Sequence, residues 1–262
     1  MSKKDRETRP HRVAELILNI AAQHATLRQA DKTAILRLRP RTRTLTAGED
    51  IVRQGDRPDV AVIVLSGVLA RYQTISAGDR QYISFHLAGD MPDIQSLFLT
   101  IMDHSLCAMN AAEIGIVPHD QLIPLVVSQP AVAFAFWRLT LIDASIFRQA
   151  VTNNGARPHL ARLAHLFCEQ YFRTREAGLA DGRFCDFPLK QAQIGQTLGM
   201  AHVSVNRAIQ KLRKQRLADL RSERLEIIDW STLQRVADFD PCYLHLTNDA
   251  ALAQTSFKSR RM

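Results

Sequence analysis

Between Asp186 and Asp219 the chain has no acidic residue, and Arg207, Lys211, Arg213, Lys214 and Arg216 crowd into one part of that stretch. Cationic groups placed this way suit charge-assisted hydrogen bonding to phosphate, and a guanidinium can also grip the edge of a guanine through two parallel bonds. Just ahead lie His202, Val203, Ser204 and Asn206. An asparagine amide can match adenine or hold a phosphate, His202 and Ser204 can reach bases or phosphates, and Val203 can pack on a thymine methyl. Arg207 is the expected base-reading residue. Lys211, Arg213 and Lys214 suit backbone contacts that position a protein without specifying sequence. The bland alternative for each is a solvated side chain, which fits Arg213 and Arg216 best.

These residues need a scaffold, and the flanking pattern supplies one. Pro188 opens a first helix whose Ile194 and Leu198 face inward, with Gly195 small at a crossing point. Gly199 provides the turn, since glycine reaches positive φ at no steric cost. Met200, Val205, Ala208, Ile209 and Leu212 form the buried side of a second helix. This is helix-turn-helix spacing, with the polar row left on the outer face. Leu217 to Arg221 and Leu225 to Ile228, joined through Ser222-Glu223-Arg224, read as a hairpin wing, and Trp230 to Phe239 as a last helix with Trp230, Leu233 and Val236 inward.

The whole chain fits this reading. Its 262 residues suffice for two cored domains, 46% hydrophobic and 23% charged content is globular, and a formal net charge of +8 favours a polyanionic partner, nucleic acid before an anionic membrane. Met1 to Arg12 has no apolar run of signal-peptide length, and no stretch is expected to reach the ~20 apolar residues of a membrane span. A cytoplasmic location without membrane attachment follows as the expectation. Cys107, Cys168, Cys185 and Cys242 form no C-x-x-C pair, so they read as reduced, mostly structural thiols.

Upstream, residues 1–12 read as a loose polar tail. Val13 to Leu38 reads as a helical pair with Asp31 as the second N-cap, and the arginines at 37, 39, 41 and 43 as a solvated face. From Thr44 to Pro118, Gly48, Gly55, Gly67, Gly78 and Gly89 recur at the turn spacing of an all-β fold. Strand-like runs lie at Val60 to Leu65, Val68 to Ile75, Gln81 to Leu87 and Glu113 to Val117, and Ser76-Ala77-Gly78-Asp79 signals a hairpin turn. From Pro130 a helix is expected to run to Asn153-Asn154-Gly155, taken as its C-cap and as a hinge. Phe134, Trp137, Leu141, Ala144 and Val151 mark a heptad-like seam that predicts pairing with a second copy. Phe136, Leu139, Ile142 and Ile146 add apolar residues on another side, and the alternative is a helix wholly buried within one subunit. A further amphipathic helix follows from about Arg157, with Leu160, Leu163, Ala164, Phe167, Cys168 and Tyr171 in its stripe.

The order β domain, long helix, amphipathic helix, winged helix-turn-helix resembles the CRP/FNR superfamily of bacterial transcription regulators over about residues 40–230. The matching motifs are Ala47-Gly48-Glu49, Gln54-Gly55, Gly67, Ala88-Gly89-Asp90, Ile194-Gly195-Gln196 and Gly199. The resemblance implies an α+β chain with a double-stranded β-helix (jelly-roll-like) sensor domain, a dimerisation helix and a winged DNA-binding domain. The expected divisions are 1–43 tail and helices, 44–127 cyclic-nucleotide-binding-like β-roll, 128–154 dimerisation helix, 155–249 DNA-binding domain, and 250–262 basic tail.

Three departures from the family pattern matter. Asp93-Ile94 stand where the resemblance implies a Gly-Glu pair for a cyclic nucleotide, and no arginine lies between Arg80 and Arg138 to meet its phosphate, so that ligand is not expected. The clustered cysteines of iron–sulfur members are absent, while haem through His86, His104 or His119 stays open beside a structural reading of each. His202-Val203 replace an Arg-Glu pair, so the familiar half-site is not implied, although Arg207 matches the family's base-reading arginine. The expectation is a homodimeric DNA-binding regulator reading a palindrome, with RNA polymerase as a further partner if it activates. The rivals are a ligand-sensing β-roll acting through protein partners, and a metal enzyme on the β-barrel. The latter is disfavoured because His86, His104 and His119 lack paired ligand spacing, and no enzymatic activity is expected.

Overall fold

The computed structural model describes residues 3–75 and 78–246. The chain divides into two compact units. The first comprises the residues up to Leu69 together with His86–Ala144, and the second Ala70–Phe85 with Ser145–Leu244.

The first unit opens with α1 (Lys3–His24) and α2 (Gln29–Leu36), followed by β1 (Arg41–Leu45), β2 (Asp50–Val52) and β3 (Val60–Ser66). The hairpin strands β4 (Leu69–Thr74) and β5 (Arg80–His86), nearly all of which fall in the second unit, come next along the chain, followed by a 3-10 turn, Ile94–Leu97. β6 (Ser105–Ala108), β7 (Ala112–Pro118), α3 (His119–Ser128) and α4 (Pro130–Ala156) follow, α4 passing into the second unit from Ser145. The strands form two sheets of order β1-β7-β3 and β2-β6-β4-β5.

β3 shows why its sequence is an unbroken apolar run. Side chains alternate across a strand, and a strand covered on both faces has no polar side to present. Ala61 and Ile63 join a core with Val13, Ile17 and Ala21 of α1, Leu122 of α3 and Phe136 of α4. Val62 and Val64 turn into a second core with Leu45, Leu69, Leu106 and Ile114. β7 pairs antiparallel with β3, placing Gly115 opposite Ile63. A Cβ on Gly115 would lie 2.6 Å from both Ile63 Cγ2 and Val13 Cγ1, so the glycine lets α1 settle onto the sheet.

Several expectations need correction here. The helix begins at Lys3, inside the stretch expected to be loose, where lysine, arginine and glutamate are good helix formers. Asp31 is not the N-cap of α2. Arg28 holds that position, and Asp31 sits three residues on, its Oδ2 accepting the Arg28 N–H at 2.7 Å. Arg41 and Arg43 lie on β1 rather than on a helix, although both remain exposed. Of the expected hairpin turn at 76–79, Ser76 and Ala77 lie outside the described residues, as does the basic tail 250–262.

The second unit contains α5 (His159–Glu176), β8 (Phe184–Asp186), α6 (Gln191–Leu198), α7 (His202–Lys214), β9 (Ala218–Arg221), β10 (Arg224–Ile227) and α8 (Trp230–Ala237). α4 does not stop at Asn154. It continues through Gly155, which keeps a helical backbone without positive φ, to Ala156. Pro158 closes it off, since the residue before a proline is pushed out of helical geometry, and Pro158 itself caps α5. The region read as a hinge is tied down within the unit: Asn153 Nδ2 donates to Arg162 O at 3.1 Å and Asn154 Nδ2 to Thr197 O at 3.0 Å. The core gathers Leu163, Phe167 and Cys168 of α5 with Phe187, Leu198, Ile209, Leu225 and Leu233. Burial pushes the Cys168 thiol well up and that of Cys185 up to about 12, so both are inert apolar fillers.

Candidate nucleic-acid interface

α6 ends where Gly199 enters the left-handed region at φ 61, and the Met200 N–H turns back to Gly195 O at 3.0 Å. A Cβ on residue 195 would sit 2.6 Å from Met200 O, so only glycine fits at this crossing. α7 then presses Val205, Ala208, Ile209 and Leu212 into the core. Those positions follow the i, i+3, i+4, i+7 pattern of one helical face. The opposite face is what remains for a partner.

On that face Val203, Arg207, Lys211 and Lys214 follow one another at spacings of three or four, which aligns them in a row along the helix. All four are exposed, as is His202 at the helix start. Among the described residues no carboxylate pairs with Arg207, Lys211 or Lys214. Ser204 is half-buried. Asn206 is half-buried too, and its Nδ2 donates to Gln191 Oε1 at 3.2 Å, so its amide is shared with the start of α6.

Arg213 behaves differently. Its Nε donates to Asp219 Oδ1 at 2.6 Å, and its guanidinium also reaches Gln210 Oε1 at 3.1 Å and the Leu220 carbonyl. Asp219 takes Arg221 on its other oxygen at 2.8 Å. One carboxylate therefore joins α7 to the hairpin β9–β10, whose tip holds Ser222 and Glu223 at φ 48 and 61. Two consecutive positive φ values make the tight turn that matches strand twist. β8 adds a third strand, in the order β8-β10-β9. Sequence reasoning missed both β8 and the role of Asp219. The one available signal was that Asp219 is the first acid after the basic run.

The seam residues on α4 fall into two groups. Trp137, Leu141 and Val151 are 58%, 50% and 74% exposed, whereas Phe134 and Ala144 are half-buried and Phe134 packs on the first unit's core. Val132, Ala135 and Phe136 are buried, but the exposure of Trp137, Leu141 and Val151 shows that the helix is not wholly buried within the chain. Contrary to the expectation that no stretch approaches a membrane span, α4 is long and apolar enough to cross a bilayer on length and composition alone, and only 17% of its most apolar window is buried. The helix thus carries apolar surface that folding of one chain leaves uncovered.

In the β domain, Asp93 is fully buried and its Oδ1 accepts the Val62 N–H at 2.8 Å, so the carboxylate serves the β3 backbone. A cyclic phosphate there would face this buried acid, with no arginine between Arg80 and Arg138, and the residues present do not fit such a ligand. Of the histidines considered, His104 Nδ1 lies 2.6 Å from Asp103 Oδ1 and His119 Nε2 lies 3.0 Å from Ser96 Oγ. His86 is buried 3.8 Å from an Asp90 oxygen. Among the described residues no three His, Cys, Asp or Glu side chains converge as metal ligands.

Comparison with known proteins agrees with this architecture. Residues 161–236 match the Crp-like helix-turn-helix domain and residues 42–129 the cyclic nucleotide-binding domain. The transcriptional activator protein FnrA of Stutzerimonas stutzeri is 22% identical over 204 residues, covering 78% of this chain and 83% of that protein. The nitrogen fixation regulation protein FixK of Rhizobium meliloti is 26% identical over 181 residues, 69% of this chain and 79% of that protein. The structure of FixK2 from Bradyrhizobium japonicum shares the fold, with a TM-score of 0.67 at 19% identity over 75% of this chain and 96% of that one. With a cyclic nucleotide-binding-type β domain, the long helix α4 and a winged Crp-like helix-turn-helix, the chain belongs to the CRP/FNR family of DNA-binding transcription regulators, not to the enzymes.

Proposed function

We propose that this regulator works as a homodimer in the cytoplasm and reads a palindromic operator with one copy of α7 in each of two successive major grooves. The observation that carries the reading is the exposed row of Arg207, Lys211 and Lys214 on the face of α7 opposite its buried side, with no carboxylate partner among the described residues. Arg207 sits where a guanidinium can reach a base edge, with His202, Val203, Ser204 and Asn206 beside it near the helix start, and Lys211 and Lys214 further along suit phosphates. Two copies must present their helices about 34 Å apart, which is one turn of duplex. The uncovered face of α4 supports pairing through Phe134, Trp137, Leu141, Ala144 and Val151. A signal at the β domain modulates affinity, and RNA polymerase is the further partner where the protein activates.

The test is a genome-wide footprint to find the operator, followed by fluorescence anisotropy on that duplex across a salt series. Arg207→Ala should cost about 1–3 kcal/mol and relax sequence preference, while Lys211→Ala should lower the salt slope by about 1 with little change in preference. Arg213→Ala serves as contrast: it should lower thermal stability by breaking the tie between α7 and the wing through Asp219, since that arginine is already engaged. Affinity indifferent to salt, or specific binding unchanged by Arg207→Ala, would overturn the assignment.

A further inference from the structure

The second unit contains a cavity of about 490 Å³ that the DNA-reading face does not use. Its size lies within the ~300–1,000 Å³ range of small-molecule sites. Every wall belongs to the second unit: Ile83 on β5, Phe147 and Ala150 on α4, Leu166 on α5 and Leu198 on α6 supply apolar surface.

The polar groups among these walls are unevenly matched. Asn153 is 4% exposed and spends its N–H on Arg162 O, leaving Oδ1 buried with no donor. Asn154 gives its N–H to Thr197 O, and its Oδ1 is likewise buried without a donor. His165, 2% exposed, lies with Nε2 3.0 Å from Gln149 Nε2, which makes Nε2 the acceptor and Nδ1 the protonated nitrogen. Glu169 accepts the Tyr243 O–H at 2.6 Å. Two residues of the lining thus carry amide oxygens without donors, and a carboxylate lies close by. Buried acceptors left unmade are costly, and an incoming N–H or O–H recovers that cost. An anion would meet the Glu169 carboxylate.

We infer that this cavity is a binding site for a small, mostly apolar ring compound carrying an N–H or O–H donor, held by its ring against Ile83, Phe147 and Leu166 and by its donor on Asn153 or Asn154. The inference goes beyond the DNA-binding reading and does not depend on it, because binding is measured without DNA.

The probe is N-phenyl-1-naphthylamine, an uncharged fluorescent ring compound with one N–H, titrated into the full chain. The expected result is a saturable enhancement with one probe per chain, displaced by indole and not by benzoate. Ala150→Trp and Ile83→Trp, which fill the cavity from two different elements, should each weaken binding at least about tenfold. Phe98→Ser, at an exposed position of the first unit, should leave it unchanged. Circular dichroism verifies that each variant is folded, and the indole–benzoate competition needs no variant. Non-saturating fluorescence, affinity retained in both tryptophan variants, or loss in Phe98→Ser would overturn the site. Displacement by benzoate as readily as by indole would overturn the ligand class.

Discussion

Gly195 of α6 and the carbonyl oxygen of Met200 approach so closely that a Cβ on residue 195 would sit 2.6 Å from that oxygen. The obstacle is backbone, which cannot swing aside as a flexible side chain would. Gly195→Ala must therefore open the angle between α6 and α7 or displace the turn, at an expected cost of about 1–3 kcal/mol. Urea denaturation reads the loss, and anisotropy should find weaker DNA binding alongside it. Gly155→Ala should act in the opposite sense. Residue 155 is helical, lacks positive φ and has open space where a Cβ would go. Alanine there should stabilise by about 0.4–1 kcal/mol by restricting the unfolded chain. Destabilisation at 155 would show that this segment must leave helical geometry after all.

The exposed face of α4 makes a separate prediction. Trp137 and Leu141 lie one turn apart and are each at least half exposed. Leu141→Glu would bring like charges together across a seam between two copies, and multi-angle light scattering should report a shift from dimer toward monomer. Specific DNA affinity should fall with it, because one recognition helix engages only a half-site. An unchanged mass would place the dimer contact elsewhere.

Acid should weaken the second unit through His165. Burial, reinforced by the charge of Arg157 and partly opposed by Asp238, lowers its pKa from 6.5 to about 4. The folded chain holds it neutral while the unfolded chain takes up a proton near pH 6.5. Its contribution is intact above that value and drains away as pH falls toward 4, by roughly 3 kcal/mol in all. His24 acts in the same direction, lowered to about 4 by burial and then by Arg138. Glu169, raised by burial against the opposing influence of Arg173 and Tyr243, works in the opposite sense above pH 4.5. His165→Gln isolates the histidine: the unfolding midpoint measured between pH 7.5 and 5 should vary less than in the parent. An equally steep profile would show that other groups govern the acid limb.

Residue order along the chain was enough to locate α7 and its outer row, because a helix writes its buried face every three or four residues. Val205, Ala208, Ile209 and Leu212 repeat at that period, and Gly199 marks the turn before them. β3 was legible for a related reason, being an apolar run long enough to need cover on both faces. β1, β2, β6 and β8 were not. They are three to five residues long, and β1 alternates arginine with threonine, so nothing local distinguishes it from a polar loop until it pairs with β7. Pro124 disguised α3, since a proline inside a short segment reads as a break.

What sequence by itself determined about this protein is its family, its order of elements and the charged helix with its outward basic row, all of which rest on local periodicity and on motif residues. Tertiary structure alone decided how those charges are divided. Among the described residues Arg207, Lys211 and Lys214 have no carboxylate partner, whereas Arg213 is taken up by Asp219 when the wing folds beside α7. It also decided that Gly155 stays helical and that Ile83, Ala150, Leu166 and Leu198, far apart in sequence, enclose one cavity. The physical reason is common to all three. A hydrogen bond across an element boundary or a shared cavity depends on where the chain returns in space, and no period within a single segment records it.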